Sequence, residues 1–253
     1  MQMVKNYLNK HTSLINKLKK EMKKLVFLTG AGVSAESGLS TFRDSDGLWE
    51  NYNVMDVASA DGFRRNPELV HQFYNARRHQ LVNAKPNDAH LIIKDLEKDF
   101  EVLVITQNVD DLHEKAGSKN VLHLHGELMK VRSISHPERV YTLEYPDIDT
   151  CAETVDEYGD IIRPHIVFFQ EDVPMMDPAT RIMEDADAIV VIGTSLAVYP
   201  AASLVYFAKP NIPIFYIDPK PTIIPNNDNI NYIAKKATEG MAMLAEKLRK
   251  EFL

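Results

Sequence analysis

Cysteine is nearly missing from this chain of 253 residues. Cys151 stands alone, which excludes an internal disulfide framework and suits a reducing compartment, so a cytoplasmic location is expected. No apolar run reaches the length that spans a membrane, so no membrane partner is expected. The N-terminal lysines are not followed by the apolar stretch of roughly 7–15 residues that a secretory signal needs. An excess of basic charge is missing as well: the formal net charge of −7 argues against a dedicated nucleic-acid binder. The exception is local. Residues 1–21 carry five lysines against one glutamate, with Val4, Leu8, Ile15 and Leu18 spaced along one face of an amphipathic, solvated helix. Internal repeats and low-complexity tracts are also absent.

What is present is a chain long enough to bury a substantial core. Apolar runs of strand length recur at 25–29, 102–106, 188–192 and 213–217, with shorter edge candidates at 121–124 and 230–233. Their hydrophobicity is continuous rather than alternating, as in strands covered on both faces. Helix-like segments fall between them, at about 67–83, 88–98, 178–186, 200–208 and 238–252. This alternation predicts a doubly wound α/β fold with a mostly parallel, Rossmann-like sheet and ligands at the carboxyl ends of its strands. Two stretches break the pattern. Residues 39–83 put a loop and a long helix where a crossover belongs, and 127–163 form an acidic, irregular insertion around the strand-like run Arg139–Leu143. We therefore expect a large domain from residues 1–38, 84–126 and 164–253, and a small one from 39–83 and 127–163 over the sheet edge.

The most specific signal lies in residues 25–49. Leu25 to Leu28 run into a turn at Gly30 and Gly32, and the chain heads toward a helix start, as in a strand–turn–helix phosphate cradle. Gly30-x-Gly32-x-x-Ala35 satisfies the loose dinucleotide fingerprint, although such a turn is also a common structural device. The continuation from Ser37-Gly38 through Thr41-Phe42-Arg43 to Gly47-Leu48-Trp49 is rarer. A dehydrogenase carries an acid at the end of a second strand about 20 residues beyond the glycines. Glu50 has that spacing, but the polar residues 43–47 before it read as a loop. Nucleotide binding is expected; hydride transfer is not.

Beyond the second long strand stand Gln107, Asn108, Val109, Asp110 and Asp111. Amide and acid side chains in this position suit the hydroxyls and carboxamide of a nicotinamide riboside, while Asn and Asp equally serve as helix caps. His123 and His125 share a face if their segment is extended, so a metal pair must be weighed. No second ligand cluster follows, which favours a histidine base working near neutral pH.

Taken in order, Gly30-Ala31-Gly32-Val33-Ser34 through Phe42-Arg43, Gln107-Asn108-Val109-Asp110, His125-Gly126 and Gly193-Thr194-Ser195 resemble the signature set of the sirtuins, NAD-dependent protein-lysine deacylases. The resemblance spans residues 25 to about 237. It implies NAD as cofactor, acylated-lysine proteins as substrates, and attack of the substrate amide oxygen on C1′ of the nicotinamide ribose with loss of nicotinamide. On that basis His125 is the general base acting through the ribose hydroxyls, Asn108 positions ribose and water, Asp110 binds the carboxamide, and Gln107 a ribose hydroxyl. Phe42 and Arg43 close over the cofactor. Gly30, Ala31, Gly32, Ser34, Ser37, Trp49 and Val109 belong to its surroundings, and Gly193, Thr194 and Ser195 cradle adenosine phosphate and ribose. Asp218-Pro219-Lys220 stand where the family usually has Asn at a ribose, and Ala237 matches an adenine contact. ADP-ribosyl transfer or NAD hydrolysis would use the same activated ribose with another acceptor. A non-catalytic NAD sensor would have no need of His125, Asn108 and Asp110.

Tyr74 and Arg77 are three apart and share a helix face. Their neighbourhood, with Thr41-Phe42-Arg43, resembles the sirtuin class that removes succinyl or malonyl groups. A guanidinium pairs a terminal carboxylate bidentately and a phenol adds a hydrogen bond. Residues 163–171 resemble the peptide-binding strand, which gives Val167, Phe169 and Gln170 as substrate contacts. Gln170 replaces the usual glycine and is expected to narrow the channel. A second departure concerns metal. Sirtuins usually hold a structural zinc on four cysteines starting just after the His-Gly-Glu segment, whereas here Ser133 follows Lys130-Val131-Arg132 and Cys151 is alone with His136. No structural zinc is expected, and packing of Val140, Tyr141, Leu143 and Tyr145 is expected to hold the small domain.

Overall fold

Residues Leu25–Leu28 of the first strand are fully buried, with Leu25 and Phe27 packing into one apolar cluster and Val26 and Leu28 into another. A strand covered on both faces is what its unbroken hydrophobicity demands. The computed structural model describes residues 22–40, 48–49, 51–224 and 229–253. The basic segment 1–21, Phe42, Arg43 and Glu50 therefore lie outside the described residues. In chain order the strands are β1 (Lys24–Thr29), β2 (Leu48–Trp49), β3 (Tyr52–Asn53), β4 (Glu101–Thr106), β5 (Val121–His123) and β6 (Gly126–Ser133). There follow β7 (Val140–Thr142), β8 (Ile162–Ile166), β9 (Ala188–Ile192), β10 (Ile214–Ile217) and β11 (Ile230–Ile233).

Six of these form one parallel sheet in the order β11-β10-β9-β1-β4-β5. The short runs β5 and β11 occupy its two edges, as expected. From β1 the chain winds outward through β4 and β5, then returns to the other side of β1 with β9, β10 and β11. The strand order therefore reverses between β1 and β9, and open sheets of this kind bind ligands in the crevice at that switch point. Helices Asp88–Leu96 and Ala237–Phe252 cover one face through Ile93, Leu96, Met241, Leu244 and Leu248. Met183 of helix Met176–Asp185 covers the other, with Leu204 and Val205. The stretch expected as an α-helix near 200–208 is a 3-10 helix, Ala201–Phe207. The amide and hydroxyl of Ser203 both bond the Pro200 carbonyl, at 2.9 and 2.7 Å, and this tightens the turn.

Beside this sheet lies a second, antiparallel one in the order β7-β6-β8. Strand β8 carries it past the boundary expected at residue 163, to Ile166. Helix Pro67–Asn83 packs on it through Val70, Phe73, Tyr74 and Leu81, which meet Leu128, Ile166 and Phe168. Asn66 starts this helix by accepting the Leu69 amide, with Pro67 at the first turn.

The expectation that apolar packing holds the insertion is not met. Val140 and Tyr145 are exposed, at 39% and 67%, and Tyr141 and Leu143 are only partly covered. Polar contacts hold it instead. His71, Asn75 and Arg78 lie at i, i+4 and i+7 on the long helix and grip residues 148–150. His71 Nδ1 lies 2.7 Å from Thr150 Oγ1, Asn75 donates to the Thr150 carbonyl at 2.8 Å, and fully buried Arg78 donates to the carbonyls of Leu128 and Ile148. Farther out, Asp156 accepts from Tyr141 and from the amides of Tyr158 and Asp160, while Arg139 pairs with Asp160. The acidic composition of the insertion follows, because its carboxylates are the acceptors that tie its loops together.

Candidate active site

The floor of the site is built where β1 and β9 end. The chain does not enter an α-helix after Gly30, as expected, but two 3-10 turns, Ala31–Val33 and Ala35–Ser37. Gly30 donates to the Ile192 carbonyl at 3.0 Å and Gly32 to the Gly193 carbonyl at 2.7 Å, so these amides are tied to the neighbouring strand end. The glycines answer to this contact. Gly193 has φ +65°, and a Cβ there would lie 2.3 Å from the Val33 nitrogen. One on Gly32 would lie 2.6 Å from Gly193 Cα. Only glycine lets the two loops touch, and with Thr194 and Ser195 they line one side of a cleft.

The residues after β4 form the next part of the lining. Gln107 donates to Thr194 Oγ1 at 3.1 Å, joining the β4 and β9 loops. Asn108 donates to Ser34 Oγ at 3.1 Å, and Ser34 donates to Asp110 Oδ2 at 3.0 Å. Burial pushes the Asp110 carboxyl up, opposed by the Leu112 amide and the Ser34 hydroxyl. The two candidate histidines divide sharply. His123 has both nitrogens engaged: Nδ1 with the Asn108 carbonyl at 2.9 Å and Nε2 with Glu114 at 2.8 Å. Burial alone would lower its pKa, but the Glu114 carboxylate prevails and holds it above the ordinary value. It has no lone pair to offer a metal or substrate. His125 Nδ1 lies 2.9 Å from the Gln107 carbonyl. A carbonyl only accepts, so Nδ1 carries the proton and Nε2 the lone pair. Burial lowers the pKa of His125 despite that bond, which keeps the ring neutral at pH 7.

The opposite wall comes from the second sheet and the long helix. Tyr74 and Arg77 line the same cleft as His125, with Val167, Phe168, Phe169 and Gln170 beside them, and the cleft holds about 300 Å³. The Arg77 guanidinium sits 4.7 Å from the Phe73 ring centre, a cation–π contact. Tyr74 is fully buried between Phe73 and Phe168, and its hydroxyl has no hydrogen-bond partner among the described residues. A buried hydroxyl without a partner is costly. Gln170 lines this wall with its amide tied to Asp61.

Most of the expected residues thus meet in one cleft: Gly30, Ala31, Gly32, Ser34, Trp49, Tyr74, Arg77, Gln107, Asn108, Val109, Asp110, His125, Val167, Phe169, Gln170, Gly193, Thr194 and Ser195. Others stand off it. Ser37 Oγ accepts from Asn87 and supports the turn from behind. Asp218, Pro219 and Lys220 follow β10, where Asp218 accepts the Lys220 amide, and Ala237 opens the C-terminal helix. Gln80 and Leu81 were not foreseen, yet they line the wall three and four residues after Arg77, a spacing legible in the sequence. Val198, Tyr199 and Pro200 also line the cleft, on an aperiodic segment that gave no such signal. Among the described residues no group of three His, Cys, Asp or Glu side chains is placed to hold a metal ion. Among them, too, no helix is long and apolar enough to cross a membrane.

Fold and cleft together define an α/β protein of the open, parallel-sheet kind, with a cleft at the strand ends between its main sheet and a second, antiparallel one. A model of the Sir2 family matches residues 30–200, and the chain belongs to that family. It is 49% identical over 230 residues to an NAD-dependent protein deacylase of Bacteroides thetaiotaomicron, covering 90% of this chain and 98% of that protein. One from Helicobacter pylori is 48% identical over 227 residues, with 90% and 98% covered. Among solved structures, a Sir2 homologue in complex with NAD superposes with a TM-score of 0.80 at 42% identity, covering 94% of this chain and 95% of the other. A Sir2 mutant with a p53 peptide and NAD gives 0.72 at 29% identity, with 94% and 99% covered.

Proposed function

We propose that this chain is an NAD-dependent protein-lysine deacylase that prefers acidic acyl groups, succinyl or malonyl, over acetyl. The relatives and the NAD-bound homologue support the activity. The observation that carries the reading is His125, held as a neutral base in a cleft lined by the glycine loops and by Tyr74 and Arg77. Bound NAD supplies an activated ribose carbon with nicotinamide as its leaving group. The Gly30–Ser34 and Gly193–Ser195 loops bind the phosphates and adenosine ribose. Asn108 and Asp110, locked together through Ser34, orient the nicotinamide riboside. His125 takes a ribose hydroxyl proton on Nε2. Val167 and Phe169 border the acyl-lysine chain, while Tyr74 and Arg77 meet the terminal carboxylate of the acyl group.

In the same reading, residues 1–38, 84–126 and 164–253 make up the cofactor-binding part, and 39–83 and 127–163 the part that selects the substrate, which β8 and the segment after it extend to Gln170. The latter holds together without structural zinc, because it carries one cysteine in place of the usual four. The test is incubation with NAD and matched succinyl-lysine and acetyl-lysine peptides. Free nicotinamide with O-acyl-ADP-ribose, faster from the succinyl peptide, is the expected result. ADP-ribose transferred to protein would replace the reading with ADP-ribosyl transfer, and no product with a sensor. Faster turnover of the acetyl peptide would overturn the acyl preference alone.

A further inference from the structure

Gln170 holds φ +77°, a backbone conformation that costs every residue except glycine. The cost is offset by an interlock. Its side-chain Oε1 accepts the Asp61 amide at 3.1 Å, and its Nε2 donates to the Asp61 carboxylate at 2.7 Å. That carboxylate is held below the ordinary range, first by the Gln170 amide and then by Arg64. The backbone next to Gln170 is tied to the same place. Phe169 donates to the Ala58 carbonyl at 2.8 Å and accepts the Ala60 amide at 3.1 Å. The first amides of helix Ala60–Arg65 are therefore satisfied by Phe169, by Gln170 and by the Ser59 hydroxyl. Both backbone groups of Phe169 are thus engaged within the chain, and the course of the segment along the cleft is set at one end by the bond from the Val167 amide to the His125 carbonyl, at 2.9 Å, and at the other by where 170 is pinned.

We infer that Asp61 and Gln170 form a clasp that positions the peptide-contacting segment 167–169, with Asp61 as a positioning residue for the acyl-lysine peptide. The inference rests on the deacylase reading. The clasp acts on peptide affinity and leaves NAD and the chemical step alone, since Val167 keeps its bond to the His125 carbonyl whether or not Gln170 is pinned. Asp61→Ala should raise KM for the acyl-lysine peptide by about tenfold, the weight of one uncompensated left-handed residue. KM for NAD and kcat should stay level. Asp61→Asn, which keeps an acceptor for the Gln170 amide, should restore peptide KM. Gln170→Ala should weaken the peptide more than Gln170→Gly, because glycine adopts φ +77° without the clasp. The deciding measurement is the double variant: with Gln170→Gly in place, Asp61→Ala should add no further change.

Equilibrium binding of a fluorescent acyl-lysine peptide, read by anisotropy, should follow the same order. If Asp61→Ala weakens the peptide equally in both backgrounds, or if it changes kcat or KM for NAD instead, the clasp is overturned. A wild-type chain that neither binds nor turns over the peptide overturns the deacylase reading and the clasp together; wild-type turnover without coupling overturns the clasp alone.

Discussion

The two walls of the cleft are made in different ways. The wall at the sheet is built from backbone: Gly30, Gly32 and Gly193 bring two loops into contact, and Gln107 bonds Thr194 across them. The wall at the second sheet is built from side chains. One face of helix Pro67–Asn83 turns Tyr74, Arg77 and Leu81 to the cleft, while His71, Asn75 and Arg78 grip residues 148–150. A wall of backbone allows little substitution and suits a constant ligand. A wall of side chains on a polar scaffold can be retuned by single replacements, which suits a group that varies.

His125 stands between these walls, and its replacement should give the largest effect. His125→Ala removes the base that the Gln107 carbonyl fixes in the cleft, so turnover of acyl-lysine should fall by about 10³-fold or more. NAD binding should persist, because the glycine loops are untouched. Residual turnover near wild type would remove His125 from its role.

The second effect falls on one wall alone. A substrate carboxylate buried without a cation and a donor is strongly disfavoured. Arg77→Met should cut succinyl-lysine turnover by about 10²-fold, the weight of a lost charge-assisted bond. Acetyl-lysine carries no carboxylate, so its turnover should stay level or rise. Equal losses on both substrates would make Arg77 a structural residue and erase the functional contrast between the walls.

What the sequence disclosed follows the same division. The strands of the main sheet, the edge position of β5 and β11, and the glycine loops were all legible, because continuous hydrophobicity and glycine spacing are local properties. Helical spacing put Tyr74 and Arg77 on one face, but it was the resemblance to the acidic-acyl sirtuins that singled them out. The scaffold behind them was not legible. Val140 and Tyr145 looked like core because they are apolar, but their insertion is held by Arg78 donating to carbonyls 50 and 70 residues away. No periodicity marks a buried arginine whose partners are distant backbone. Likewise, the 3-10 turns after Gly30 arise from the Gly32 bond to Gly193, a partner far along the chain.

That scaffold is the third place to test. Arg78→Met keeps most of the volume but leaves the carbonyls of Leu128 and Ile148 without their donor, and should cost about 2–4 kcal/mol of stability. A chelator added to the wild-type protein should leave its melting temperature unchanged, because the grip is one of hydrogen bonds. A large chelator effect with a silent Arg78→Met would mean that metal, and not this network, holds the second wall.

The smallest effect compares the scaffolds behind both walls. His71 bonds Thr150 behind the substrate wall, and His90 Nδ1 accepts the Asn87 amide while Asn87 holds the Val33 carbonyl behind the glycine turn. Burial lowers both histidines to about 4 from an ordinary 6.5. The unfolded chain therefore takes up protons near pH 6.5 that the folded chain refuses, so stability is complete above that value and falls as the pH drops toward 4. Between pH 7.5 and 6 the loss is about 1 kcal/mol per histidine. His123 works in the opposite sense, since Glu114 raises its pKa and its contribution is present at low pH and lost on the alkaline side. The wild-type slope is thus a balance, and the informative quantity is the difference between variants. His71→Gln and His90→Gln should each shrink the loss of stability between pH 7.5 and 6 by about 1 kcal/mol, measured by urea unfolding at the two pH values. If only His90→Gln shrinks it, the polar grip on residues 148–150 opens to water as acid is added, and the substrate wall is the softer of the two. If neither does, these rings are already solvated in the folded chain and the symmetry between the scaffolds is lost.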